Sequence, residues 1–177
     1  MLESLISSKT RVKLLLRFFL NPERVGYLRA LATEFEESTN AVRVELNRLE
    51  GAGILTSSAH GNKKIFKTNE LHPMFKEMQS LVRKHVGIDS LVEQVVARLG
   101  EVQKVYLAGA LAKGLDSTEI NIWVVGDVNE SYLKTICEKA KILAKRNVSY
   151  QIALTESAIT VAQEELLLVY NRNETQN

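Results

Sequence analysis

The stretch Ser38-Thr39-Asn40-Ala41-Val42-Arg43-Val44-Glu45-Leu46-Asn47-Arg48-Leu49-Glu50-Gly51-Ala52-Gly53-Ile54-Leu55 decides how the rest of the chain is read. Ser38 is a good N-cap, Val42, Leu46 and Leu49 recur at helical spacing, and Gly51 and Gly53 supply a stop. The spacing predicts a short amphipathic helix from Ser38 to Glu50. Its other face carries Thr39, Asn40, Arg43 and Asn47, side chains able to hydrogen-bond base edges or phosphates in a major groove. Taken alone, the segment reads first as an ordinary surface helix with a solvated polar face, because polar outer faces are the rule. The flanking sequence shifts that reading.

Upstream, Ser8 can cap a mostly apolar helix through Leu20 that ends near Asn21-Pro22. A second helix is expected from about Gly26 to Phe35, with Tyr27, Leu28, Leu31 and Ala32 inward. Glu36 and Glu37 then lead into Ser38. Downstream, Ile54 to Ser58 and Lys63 to Thr68 have strand character around the turn residues Gly61-Asn62, which predicts a hairpin. Three helices followed by a basic hairpin have the order of a helix-turn-helix with a wing.

Residues 8 to 70 resemble the winged helix-turn-helix domains of arsenic-repressor-like and multiple-antibiotic-resistance-repressor-like regulators (ArsR/MarR-like). The resemblance rests on Ser38, Ala41, Val42, Leu46, Leu49, Gly53, Ile54 and Leu55 at their spacing, and on the basic hairpin. It implies that the third helix enters the major groove of double-stranded DNA while the wing touches the backbone. Matching positions put Thr39, Asn40, Arg43, Val44 and Asn47 near bases, and Lys63 and Lys64 near phosphates; Lys67, with Arg11 and Arg48 as further candidates, would add sequence-independent attraction. Winged helices also serve as protein-interaction modules, so a module without DNA binding stays open at this point.

Charge is distributed unevenly. Residues 1 to 84 hold 14 Lys and Arg against 9 Asp and Glu, whereas residues 85 to 177 hold 9 against 12. The electropositive surface is therefore concentrated with the hairpin and its helices. Cys137 is the sole cysteine, which excludes an intrachain disulfide and a cysteine-built zinc site within one subunit. The metal-binding cysteines of the arsenic repressors are absent, and His60, His72 and His85 form no ligand spacing, so no metal site and no cofactor are expected. No apolar run reaches the ~20 residues of a membrane span, and no signal-peptide layout opens the sequence; the expectation is a cytoplasmic protein.

From Leu71 to Val86 a helix is expected to start at His72-Pro73, with Met74, Phe75, Met78, Leu81 and Val82 as its apolar stripe; another is expected from Asp89 to Leu99. Residues 71 to 88 would connect the two halves. They suit either of two roles, a dimer contact that matches DNA half-sites or packing against the protein's own second half.

Beyond Leu99 the pattern becomes α/β. Strands are expected at Val102 to Leu107, Glu119 to Val125, Val148 to Leu154 and Leu166 to Tyr170. A helix is expected at Asn129 to Lys145, with Tyr132, Leu133, Ile136, Cys137, Ala140 and Leu143 inward, and a short one near Ser157 to Gln163. Gly109-Ala110-Leu111-Ala112-Lys113-Gly114, then Glu119-Ile120-Asn121 on the next strand, resembles the minimal nucleotidyltransferase motif. In that family a Gly-Ser turn holds nucleotide phosphates, and aspartates bind magnesium for transfer. Here Ala110 replaces the serine, Glu119 and Asn121 replace the two aspartates, and residues 148 to 154 offer no carboxylate. Magnesium needs hard anionic oxygens, so the replacements remove most of the charge that would hold it.

The sequence thus predicts an α+β protein: a winged helix-turn-helix over residues 1 to 70, the connector, and a nucleotidyltransferase-like domain, inactive as a transferase, over residues 89 to 177. The expected function is a homodimeric DNA-binding transcriptional regulator rather than an enzyme. Gly109, Ala110, Lys113, Gly114, Glu119 and Asn121 remain a candidate pocket for a small-molecule or nucleotide ligand. The alternative is a nucleotidyltransferase that uses the winged helix to present its substrate.

Overall fold

The computed structural model describes residues 2–174. It is a mixed α+β protein that divides into two compact units, with the division between His85 and Val86.

The first unit begins with the short helix α1 (Leu2–Leu5) and with α2 (Lys9–Phe19), whose N-cap Ser8 accepts from the Arg11 amide at 3.2 Å. Leu14, Leu16, Phe18 and Phe19 of α2 are fully buried, as a helix apolar on most sides must be in a small domain. α3 (Leu28–Phe35) and α4 (Thr39–Gly51) follow, joined by Glu36, Glu37 and Ser38. Ser38 caps α4 by accepting from the Ala41 amide at 3.1 Å, and Val42, Leu46 and Leu49 are buried beneath it. The hairpin consists of β2 (Leu55–His60) and β3 (Lys63–Thr68), paired from Leu55↔Thr68 to His60↔Lys63 around Gly61-Asn62. On β3 the buried Phe66 and Thr68 face the helices, and the Thr68 hydroxyl donates to the Phe18 carbonyl at 2.7 Å, which pins the hairpin to α2.

Two boundaries differ from expectation in this unit. Gly26 and Tyr27 do not begin α3; they form the short strand β1, which pairs with Phe66 and Ile65 and makes the sheet three-stranded in the order β1-β3-β2. Pairing with β3 claims their backbone before the helix can. The helix after the hairpin, α5 (Phe75–Val86), starts four residues later than Leu71. Asn69 holds the preceding turn: its side-chain amide donates to the Gly53 carbonyl at 2.7 Å, and its Oδ1 accepts from the Leu71 amide at 3.2 Å. Leu71 and Met74 are left exposed as a result, whereas Val82 and Val86 are buried and Phe75 packs near Phe19, with ring centroids 5.8 Å apart.

The second unit is a four-stranded sheet in the order β6-β5-β4-β7, formed by β4 (Gly100–Ala108), β5 (Glu119–Val128), β6 (Asn147–Ala153) and β7 (Leu166–Asn171). β4 is antiparallel to β5 and β7, and β6 is parallel to β5. The helices are α6 (Ile88–Arg98) and α7 (Glu130–Ala144), and α7 makes the crossover that a parallel β5–β6 pair requires. Asn129 caps α7 by accepting from the Tyr132 amide at 3.0 Å.

Alternation along β5 and β4 divides the sheet's two faces. Ile120, Ile122, Val124, Val105 and Leu107 are at most 2% exposed on one face. The other face carries Glu119, Asn121, Trp123, Tyr106 and Ala108, with Trp123, Tyr106, Val125 and Ala153 gathered under Ile159, Val161 and Leu166. The expected helix near Ser157 is instead a pair of single 3-10 turns, Glu156–Ala158 and Gln163–Glu165, on either side of Ile159 and Val161. Leu143, expected inward, is exposed. Ala144, four residues beyond the buried Ala140, takes the inward position, and its Cβ approaches Gly87 so closely that a Cβ added there would lie 2.8 Å away.

Candidate nucleic-acid interface

In α4 the residues between Val42, Leu46 and Leu49 turn outward, as helical spacing requires. Thr39, Asn40, Arg43 and Asn47 are exposed, and Val44 is 41% exposed. Arg43 donates to Asn40 Oδ1 at 2.6 Å, one turn apart on the outer face. A hydrogen bond at that spacing holds the guanidinium against the helix surface.

The cations behind this face are committed to the fold. Glu45 is buried at the α2–α4 contact, where Arg11 Nε donates to Oε2 at 2.8 Å and Arg11 Nη2 to Oε1 at 3.3 Å, while Arg48 Nη1 lies 3.5 Å from Oε1. Burial alone would raise the Glu45 carboxyl. The hydrogen bond from Arg11, helped by Ser8 and by the charges of Arg11 and Arg48, overrides it and holds the group below the usual carboxylate range. Arg11 and Arg48 are therefore partners of Glu45 first, although 63% of the Arg48 side chain remains in solvent. The α3–α4 turn is fixed similarly. Lys13 Nζ donates to Glu37 Oε1 and to the Phe35 carbonyl, each at 2.8 Å, and the Thr10 hydroxyl donates to Glu37 Oε2. Against the opposing effect of burial, these bonds lower the Glu37 carboxyl.

Arg29 joins the outer face to the hairpin. It lines one groove with Thr33, Glu36, Glu37 and Thr39 at the start of α4, and a second of about 660 Å³ with Tyr27, Asn62, Lys63 and Lys64. Lys63 Nζ sits 5.5 Å from the Tyr27 ring centroid, and Lys64 bridges to Glu50 at 2.7 Å while lying over Phe66. Lys67 is exposed on the same side of β3 as Lys63 but does not line either groove. Of the sequence candidates, the two grooves bring together Thr39, Lys63 and Lys64. Arg29 and Tyr27 add to them and carry no local signal in the sequence, because only the β1–β3 pairing brings the start of α3 beside the hairpin turn.

The second candidate cluster has folded in on itself. Gly109, at φ +71°, opens the turn, and a side chain there would meet Asn121 Nδ2 at 3.1 Å. The Lys113, Gly114 and Leu115 amides donate to carbonyls of Gly109, Ala110 and Leu111 within the turn, so they do not point to a ligand. Lys113 Nζ is bound to Glu165 at 2.8 Å. Asn121 Oδ1 accepts from the Ser149 hydroxyl at 2.6 Å, with Ser149 beside it in the β5–β6 register. Glu119 is thus the lone carboxylate of a set completed by an amide and a hydroxyl. These donors do not fit a magnesium ion, which requires several anionic oxygens. Among the described residues, no three His, Cys, Asp or Glu are grouped to hold a metal, and no helix is long and apolar enough to cross a membrane.

No known protein family, curated protein or solved structure matches the chain.

Proposed function

We propose that the first unit is a winged helix-turn-helix that binds double-stranded DNA, with α4 as its recognition helix and the β2–β3 hairpin as its wing, and that the protein is a transcriptional regulator acting as a dimer. The observation that carries this reading is Arg29. Shared by the two grooves, it links Thr39 at the head of α4, where Glu36 and Glu37 also line the groove, to Lys63 and Lys64 on the hairpin, and its guanidinium together with Lys63 supplies the positive charge that a phosphate backbone requires. The local balance of charge supports the same reading, since the first unit has an excess of five positive charges and the second an excess of three negative ones. Asn40, Arg43 and Asn47 then discriminate bases, each good bidentate contact contributing ~1–3 kcal/mol.

The second unit is a nucleotidyltransferase-like sheet without transfer chemistry, which serves as a sensor or oligomerisation module. Glu119, Asn121 and Ser149 cannot assemble the anionic metal site that the transfer requires, and Lys113 is paired with Glu165. Selection of duplexes from a random library with the full chain tests the DNA reading. The expected result is an enriched motif with two related half-sites. Failure to enrich any motif, together with binding independent of salt, would overturn it.

A further inference from the structure

The two edges of the second unit's sheet differ. β7 is blunted by a bulge, its pairing with β4 shifting register between Val105 and Tyr106. β6 has no such guard: its seven residues, Asn147-Val148-Ser149-Tyr150-Gln151-Ile152-Ala153, pair in unbroken parallel register with β5 and include no charge, proline or glycine. Among the described residues its other edge pairs with no strand. Natural proteins blunt such edges with charge, bulges or cover, because an open edge is a template for another strand.

We infer that β6 pairs antiparallel with β6 of a second copy of this chain, joining two four-stranded sheets into one across a two-fold axis. The flanks of the strand select this occupant. At the Asn147 end, the last turn of α7 exposes Ile142 (77%) and Leu143 (69%); immediately past the Ala153 end, Leu154 is 71% exposed. Antiparallel pairing sets the Leu154 end of each copy beside the Ile142–Leu143 end of the other, so the apolar groups meet twice. Glu156, past the Leu154 end, is already paired with Lys104 of its own chain at 2.6 Å, so the match between the two copies rests on the apolar flanks and the open backbone edge. The surface is complementary to itself, as a closed dimer needs.

This inference does not depend on DNA binding and is tested without DNA. Light scattering or sedimentation of the full chain over a concentration series is expected to show a mass twice 19.9 kDa. Leu143→Lys combined with Leu154→Lys changes only exposed side chains. It is expected to raise the dimer dissociation constant at least ten-fold while the far-ultraviolet circular dichroism stays unchanged. A wild-type chain that remains monomeric throughout overturns the inference, including the case in which the edge takes a strand from a different protein. A double variant that dissociates like the wild type overturns it too, since the contact would then lie elsewhere.

Discussion

Two turns in this protein precede polar surfaces that look alike in sequence and end in opposite states. In the first unit the turn from Glu36 to Ser38 is anchored from behind: Lys13 and Thr10 hold Glu37, Arg11 holds Glu45, and the side chains beyond them, Asn40, Arg43 and Asn47, face solvent. In the second unit the turn from Gly109 to Gly114 bonds its own amides, Lys113 is tied to Glu165 and Asn121 to Ser149. A polar residue becomes available to a partner when other residues satisfy the fold. Here the first unit fixes its scaffold with the buried Glu45 and the half-buried Glu37, whereas the second has used Lys113 and Asn121 for that purpose.

The difference can be broken most severely in the second unit. Gly126 has φ +138°, and a Cβ there would lie 2.1 Å from the Glu101 carbonyl oxygen, a backbone atom that cannot swing aside. Gly126→Ala is expected to destabilise this sheet by more than ~4 kcal/mol, in the range reserved for backbone clashes and strain. Trp123, the sole tryptophan and 6% exposed, reports the loss directly as a shift of its emission to that of a solvated indole.

The scaffold behind α4 is the next point of attack. Glu45→Ala leaves the half-buried Arg11 without its bidentate partner and is expected to cost about 1–3 kcal/mol, less than a fully buried pair because Arg11 and Arg48 both reach solvent. The acid limb should change as well. Glu45 and Glu37 are held below their ordinary value of 4.5, so the stability they contribute is fully present above that pH and is lost as pH falls through their lower folded values. Urea denaturation of the full chain between pH 6 and pH 3 should therefore show a shallower decline for Glu45→Gln than for the wild type.

On the proposed DNA surface the expected effects separate by role. Arg43→Ala should weaken binding to a selected duplex by about ten-fold or more and relax the preference at one base position. Lys63→Ala should weaken all sequences alike and reduce the salt slope by about one. Arg48→Ala should do less than either, because Arg48 is shared with Glu45. Fluorescence anisotropy over a salt series distinguishes these patterns, and equal effects from all three substitutions would contradict the proposed division of roles.

The legible parts of this fold are those specified locally. Ser8, Ser38 and Asn129 announce helix starts, the Leu46 and Leu49 spacing identifies the buried side of α4, and Gly61-Asn62 marks the hairpin. The missed parts depend on distant partners. Nothing near Arg48 in sequence reveals that Glu45 also receives Arg11 from 34 residues away, and nothing near Arg29 reveals the hairpin beside it. Leu143 failed for a related reason: the 3.6-residue period permits it or Ala144 inward, and the tight approach of Gly87 admits only the smaller.

At Glu36 backbone strain and charge can be separated within one residue, and both effects are small. Glu36 ends α3 in the left-handed region, at φ 56° and ψ 42°, and lines the groove that Arg29 shares with Thr39. A side chain in that conformation costs roughly 1–2 kcal/mol, whereas glycine adopts it freely but loses about 0.5–1 kcal/mol through its greater freedom when unfolded. Glu36→Gly should thus stabilise the protein by no more than ~1.5 kcal/mol, and Glu36→Gln should leave stability nearly unchanged. Both remove a carboxylate from the path of a phosphate backbone, so both should tighten DNA binding about two-fold at low salt, an advantage that vanishes as salt screens the groove. If only the glycine variant bound more tightly, the effect would belong to the turn's conformation, and the groove would lose its claim to a phosphate.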